Sequence, residues 1–438
     1  MPGLPSRRHV LAAGLAVPIS GALAACGGAR APGGRTRITF WSALRGSEQV
    51  VAAFNRSQRR IEVVFEQIPT GSQGGYAKLS NAARAGNAPD VATIEYPQLP
   101  GFAIDGVARD LTALIGDRLR RRLLPQALRR TTFDDRVFAV PLDIEPMVMH
   151  YRRDLFEQHG FPVPRTWAEF AELGRTVRDR LPERRITLFP TDGGSQFAAH
   201  ACQIGARWFD IRDGRWQVSL TDAPTRRLAD YWQRLINEDV VFTGAADSQQ
   251  YNALIGDGLV LTRHSGAWDA GAQIKKQPGQ AGAWGVAPMP RWDPDQPDLG
   301  DHGGSTFAIT AGSERPEAAM EFIEWQVSHP DALRARLSAG TSVQYPAVPD
   351  LIDVGRRALD ASYYAGQDVY GLFDQEAARI RGDWVWGPRM SSTLQVMQDH
   401  FARAAAGRGS LVDAVRAAQD GTIPDLEALG LAISEHAG

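Results

Sequence analysis

The sequence predicts an α/β fold built as two lobes with a gap between them and hinge crossovers joining them. Three observations lead there. From Arg37 to Ile94, short β-branched and aromatic runs alternate with helical stretches, the order of a parallel sheet covered on both faces. The chain has 438 residues, 43% of them hydrophobic, which is enough for more than one core. The third observation is the stretch from Arg136 to Phe156. Its strand Val137 to Val140 stops at Pro141, which has no N–H for a sheet ladder, and a second apolar run starts at Met147. Between them stand two carboxylates, Asp143 and Glu145, in Leu142 to Pro146. A strand that ends, shows two acids and restarts is passing from one sheet to another.

Taken in order, the chain opens on Ser6-Arg7-Arg8-His9-Val10-Leu11, a twin-arginine leader motif, with the Sec route left open. The apolar run Val10 to Ala25 is interrupted by Gly14, Pro18 and Gly21 and is too short to span a bilayer. It closes on Leu23-Ala24-Ala25-Cys26, which resembles the lipobox of bacterial lipoproteins. That resemblance implies a signal peptide over 1–25 and a lipid on Cys26, anchored by roughly 0.8 kcal/mol per buried CH₂. Residues 26–36 read as the lipidated cysteine and a Gly-rich tether with a reach of roughly 15 to 20 Å.

Arg37 to Trp41 is a strand, Ser47 a cap for a helix bearing Val50, Val51 and Phe54, and Ile61 to Phe65 a second strand. Tyr76 to Ala85 reads as a helix and Asp90 to Ile94 as a strand. Beyond the crossing, Thr166-Trp167-Ala168-Glu169 has the capping-box form. Asp222 or Thr221 caps a helix with Leu228, Tyr231, Trp232, Leu235 and Ile236 on one face. Strands are expected over Gly258 to Thr262, Ala283 to Ala287 and Thr306 to Thr310, with a loop over Arg291 to Asp301. Pro316 starts a helix, and two more lie between Asp383 and Gln419. The expected lobes are 37–141 plus 303–346 and 142–302 plus 347–438.

A formal net charge of -2 offers no basic patch, so nucleic acid is not an expected partner. Once Cys26 is lipidated, Cys202 stands alone and cannot form an intramolecular disulfide. No Gly-rich phosphate loop and no His pair with zinc spacing is present, so neither a cofactor nor a metal is expected. Neither Gly193-Gly194-Ser195-Gln196-Phe197 nor His264-Ser265-Gly266 makes a nucleophile elbow.

Several motifs, in this order, resemble one family: Ile38-Thr39-Phe40-Trp41, Ala88-Pro89-Asp90-Val91, Phe138-Ala139-Val140-Pro141, Pro164 to Phe170, Trp284 to Pro290, and Gly303-Gly304-Ser305. The chain is similar to family 1 extracellular solute-binding proteins, the maltose-binding-protein-like receptors of ABC importers, and among them to actinobacterial lipoproteins for amino sugars or glycerophosphodiesters. The resemblance implies a class II periplasmic-binding-protein fold and a further crossing near His302 to Phe307. It also implies a monomeric receptor on the outer face of the cell membrane, handing a small carbohydrate to permease subunits served by a separate ATPase. One departure is Gly340-Thr341-Ser342-Val343-Gln344-Tyr345-Pro346, where the family's tyrosine is displaced.

A sugar offers C–H faces and hydroxyls, so its site needs flat aromatic rings and oxygen acceptors. The expected ligand set is Trp41, Tyr76, Glu95, Asp143, Glu145, Ser195, Trp268, Gly304, Ser305, Trp384 and Trp386. Trp41 ends a strand at a carboxyl edge, where open α/β sheets place ligands. Trp384 and Trp386 alternate as strand neighbours would and would share a face. The acidic crossing favours a neutral or amino sugar over a phosphodiester. Three alternatives stay open: a glycerophosphodiester receptor, an exported glycoside hydrolase using two carboxylates, and a ferric-ion receptor using Tyr363 and Tyr364.

Overall fold

The computed structural model describes residues 34–246, 248–293, 295, 299–340 and 343–435. The leader, Cys26 and most of the tether lie outside them. Residues 36–42 (β1), 61–67 (β2) and 91–95 (β3) build the parallel part of the first sheet. Residues 140–141 (β4) and 305–309 (β10) complete it, in the order β2-β1-β3-β10-β4. Helices 47–57 (α1), 75–84 (α2) and 99–104 (α3) connect its early strands. Ile38, Phe40, Phe54, Phe307 and Phe322 are buried in this lobe, Phe40 packing edge-on against Phe307 and Phe322.

The second lobe centres on residues 147–152 (β5), flanked antiparallel by 262–266 (β8) and 284–288 (β9). Residues 187–190 (β6) pair in parallel with 241–244 (β7) and lie beside β8, where Thr262 N–H donates to Ile186 O at 2.7 Å. Helices 167–180 (α4), 194–203 (α5), 223–237 (α6), 390–405 (α8) and 411–427 (α9) belong here, while 316–328 (α7) packs in the first lobe. Thr166 and Glu169 form the capping box of α4, and Asp222 caps α6 through Thr225 N–H. Trp167 and Trp232 are buried together around His200 and His264.

Several local expectations shift. Val137 to Val140 is not one strand: Arg136–Val137 turns back on Thr132–Phe133 across Asp134 and Asp135, both at positive φ, and only Val140–Pro141 joins the large sheet. Pro141 is tolerated because β4 is the sheet edge. Gly258 does not begin a strand. At φ 69° it turns the chain after the helix Gln249–Gly256, so β8 starts four residues later than expected. Ser47 does not cap α1; the position before it is Gly46 at φ 79°, and the Ser47 hydroxyl instead bonds the Ser42 hydroxyl at 3.2 Å. Residues 381–389 form no helix, and α8 begins at Met390, after Pro388.

Three extended segments pass between the sheets side by side. Leu142 N–H donates to Ser305 O (2.9 Å), Ile144 N–H to Tyr345 O (3.1 Å), Met147 N–H to Gly300 O (3.2 Å) and Ala347 N–H to Leu142 O (3.0 Å). Asp301 sits among them. One carboxylate oxygen accepts Glu145 N–H at 2.7 Å and the other pairs with the buried Arg130 guanidinium. Arg130 also reaches Arg381 O in the second lobe at 3.4 Å. Removing one partner of such a pair strands a buried charge, so Asp301→Ala is expected to cost about 3–5 kcal/mol of unfolding free energy. Urea denaturation measures it, with an exposed Asp293→Ala as the control that changes little.

Candidate functional site

The crossing segments meet the carboxyl ends of the first sheet and the end of β8, and most of the expected ligand residues gather there. Glu95 closes β3 opposite Ser305, its register partner in β10. Ser305 N–H donates to Asp143 Oδ1 at 2.6 Å, and Tyr96 Oη–H to the Asp143 carbonyl at 2.8 Å. Glu145 Oε2 accepts Trp268 N–H at 2.8 Å, and His302 N–H donates to the Glu145 carbonyl at 3.0 Å. The Trp268 indole N–H is taken by His302 O at 3.0 Å, and the half-buried ring lies beside the His302 ring at 6.0 Å and against Gly303. Gly303 and Gly304 carry φ of 109° and 87°, and a Cβ on Gly304 would lie 2.7 Å from the Tyr96 ring. Both glycines are therefore demanded by the close turn beside Trp268.

Tyr76 Oη–H donates to Glu95 Oε2 at 2.9 Å. Glu95 is exposed at the end of its strand, and desolvation pushes its carboxyl above the ordinary range. Asp143 and Glu145 are buried, with their carboxylates turned to backbone N–H groups. Burial raises both, and for Glu145 the Asp143 charge adds to it.

Trp41 lies at the end of β1 on the face covered by α2, half-buried, with the Lys78 ammonium 4.6 Å from its ring centre. Ser195 is half-exposed in the first turn of α5. Trp384 and Trp386 are buried and meet edge-on (5.3 Å, 84°), with Trp384 also against Trp208. They do not form a coplanar wall, because the segment carrying them is irregular rather than a strand. Their loop nevertheless crosses to the first lobe: Ser391 Oγ–H donates to Gln98 Oε1 at 2.6 Å, three residues beyond Glu95.

Tyr363 and Tyr364 are packing residues. Their hydroxyls donate to the Gln277 (2.9 Å) and Ala270 (2.8 Å) carbonyls, and burial raises both phenols. Among the described residues no cluster of three or more His, Cys, Asp or Glu could hold a metal ion, and no helix is long and apolar enough to cross a membrane. Cys202 is buried outside any disulfide, its thiol directed at Leu299 O at 4.0 Å. Sequence reasoning missed Arg130, Asp301 and Tyr96, which tie the crossings; nothing in their spacing separates them from ordinary polar residues.

The profile of the bacterial extracellular solute-binding proteins matches residues 42–332, most of the folded chain. The chain belongs to that family. A lactose-binding protein of Rhizobium radiobacter is 27% identical over 197 residues, spanning 44% of this chain and under half (46%) of that protein. An arabinooligosaccharide-binding protein of Halalkalibacterium halodurans is 23% identical over 308 residues, 67% of each. Among solved structures, the galacto-N-biose-/lacto-N-biose I-binding protein of Bifidobacterium longum superposes with a TM-score of 0.82 at 23% identity, over 92% of this chain and 100% of that one. This likeness shows the two-lobe α/β fold of the family. Membership of a solute-binding family, with relatives named as binding proteins, sets aside the glycoside hydrolase.

The raised carboxyls give this family member a testable pH signature. Asp143 and Glu145 hold protons more tightly folded than unfolded, where carboxyls titrate near 4. The folded state therefore gains relative stability as pH falls from neutral toward that value. Buried His150, His200 and His264, held below the ordinary imidazole range by desolvation, act with the opposite sign below about 6.5. The acids are isolated by comparison with Asp143→Asn: between pH 7.5 and 5.5 the urea-unfolding free energy of the unmodified protein should rise relative to the variant.

Proposed function

We propose that this chain is a lipid-anchored, monomeric receptor that captures a small carbohydrate between its lobes and delivers it to an ABC permease powered by a separate ATPase. The observation that carries the reading is the meeting of an open Glu95, a half-exposed Trp268 ring and the Gly303-Gly304-Ser305 turn at the junction of the two lobes of a solute-binding fold. Ring faces suit sugar C–H surfaces, and carboxylates and turned backbone suit hydroxyls. Ligand contacts to both lobes shift an open population toward a closed one, and the closed form is the one a permease recognises. The names of the lactose-, arabinooligosaccharide- and lacto-N-biose-binding relatives support a sugar as ligand.

The ligand set proposed is Trp41, Tyr76, Glu95, Asp143, Glu145, Ser195, Trp268, Gly304, Ser305, Trp384 and Trp386, with lobes 37–141 plus 303–346 and 142–302 plus 347–438. An acidic junction favours a neutral or amino sugar over a glycerophosphodiester. A thermal-shift screen of mono- and disaccharides, amino sugars and glycerophosphodiesters tests this. A sugar should raise Tm, and Trp268→Ala should weaken its binding about tenfold, the loss of one aromatic contact worth roughly 1.4 kcal/mol. A response to the phosphodiester alone would overturn the choice of ligand. Export and anchoring are tested separately: mass spectrometry of the membrane-bound protein should find Cys26 as an acylated first residue, and Cys26→Ala should leave the membrane fraction.

A further inference from the structure

The loop that carries Trp384 and Trp386 touches the first lobe at both its ends, while its middle packs on Trp208 and Phe209 of the second. At its start, Arg130 donates to Arg381 O at 3.4 Å and the Arg129 guanidinium packs on Gly382. Further along, Gly101 sits so close to Pro388 O that any Cβ would collide with it. At the far end, Ser391 Oγ bonds Gln98 Oε1, and Arg389 forms a two-pronged pair with Asp105, both prongs at 2.9 Å. Asp105 ends α3 of the first lobe, and Arg389 precedes α8, which packs on α5 and α9 of the second.

The seam therefore runs between two ion pairs of different kinds. The inner one, Arg130–Asp301, is buried at the crossing and cannot open without stranding a charge. The outer one is wet: the Asp105 and Arg389 side chains keep 37% and 28% of their surface. Water can replace it at little cost, and Asp425 also faces Arg389, so the guanidinium keeps an acidic neighbour after the lobes part. The first pair has the character of a pivot and the second that of a catch.

We propose that Asp105 and Arg389 form a ligand-independent latch that holds the lobes together and, outside the ligand contacts, sets how tightly the protein binds. This rests on the receptor reading for its consequence but not for its test. Each latched molecule presents the binding-competent state in advance, and apparent affinity scales with that fraction. An exposed two-pronged pair shifts the closed-to-open ratio by about two- to fivefold. Removing it should weaken binding by up to the same factor while leaving every ligand-touching side chain in place.

The experiment is a double-mutant cycle of Asp105→Asn, Arg389→Gln and the pair together, read in the purified, ligand-free protein. Pulsed electron-spin distance measurement between a label on each lobe reports closure. Each single variant should move population from the short to the long distance, the double variant no further than either single, and 0.5 M salt should reproduce the shift in the unmodified protein. Unchanged distributions in both single variants, or additive effects in the double, would overturn the latch. Because no ligand enters this measurement, a protein that binds no sugar would refute the receptor reading and leave the latch to be decided by the distances alone.

Discussion

Where the three segments pass between the lobes, extended backbone has to be satisfied away from water, and the Asp301 carboxylate is what makes the arrangement possible. It accepts Glu145 N–H on one oxygen and the Arg130 guanidinium on the other, joining two crossings to the body of the first lobe. A neutral acceptor could replace the first bond but not the second. Without the anion, Arg130 would be a buried cation facing the Tyr96 ring and a single carbonyl. The position of Glu145, and through it the backbone of Trp268, follows from this pair.

The same crossing shows why two acids can sit in a junction that remains compact. Asp143 and Glu145 share their burial with backbone N–H donors from Ser305 and Trp268, so each carboxylate ties a neighbouring segment. Glu95, by contrast, is exposed and accepts the Tyr76 hydroxyl. The acids of the junction thus differ in setting: Asp143 and Glu145 are buried on backbone N–H groups, and Glu95 is exposed.

Much of the architecture was legible in the residues. The alternation of runs from Arg37 to Ile94, the capping box at Thr166 and the Asp222 cap depend on local chemistry that a short window contains. The misread elements turned on local turn geometry in two places and on a distant packing partner in a third. Val137 was drawn into a small hairpin by Asp134 and Asp135, and β8 slid past Gly258 because that glycine was needed to end a helix. Trp384 and Trp386 read as alternating strand neighbours, but no strand lies beside them to pair with, and packing against Trp208 turned their rings across one another.

By itself the sequence determined that the chain is a two-lobe α/β protein, that it crosses between sheets at Leu142 to Pro146, and that aromatic and acidic residues concentrate near that crossing. Those properties follow from hydrophobic period, proline and local caps, which act over a few residues. Only the tertiary structure decided which acids are buried and which stay open, that Asp301 and Arg130 join the crossings, and that Arg389 meets Asp105 from 284 positions away. Such pairings depend on desolvation and on the meeting of distant strands, and neither leaves a mark in the spacing of residues along the chain.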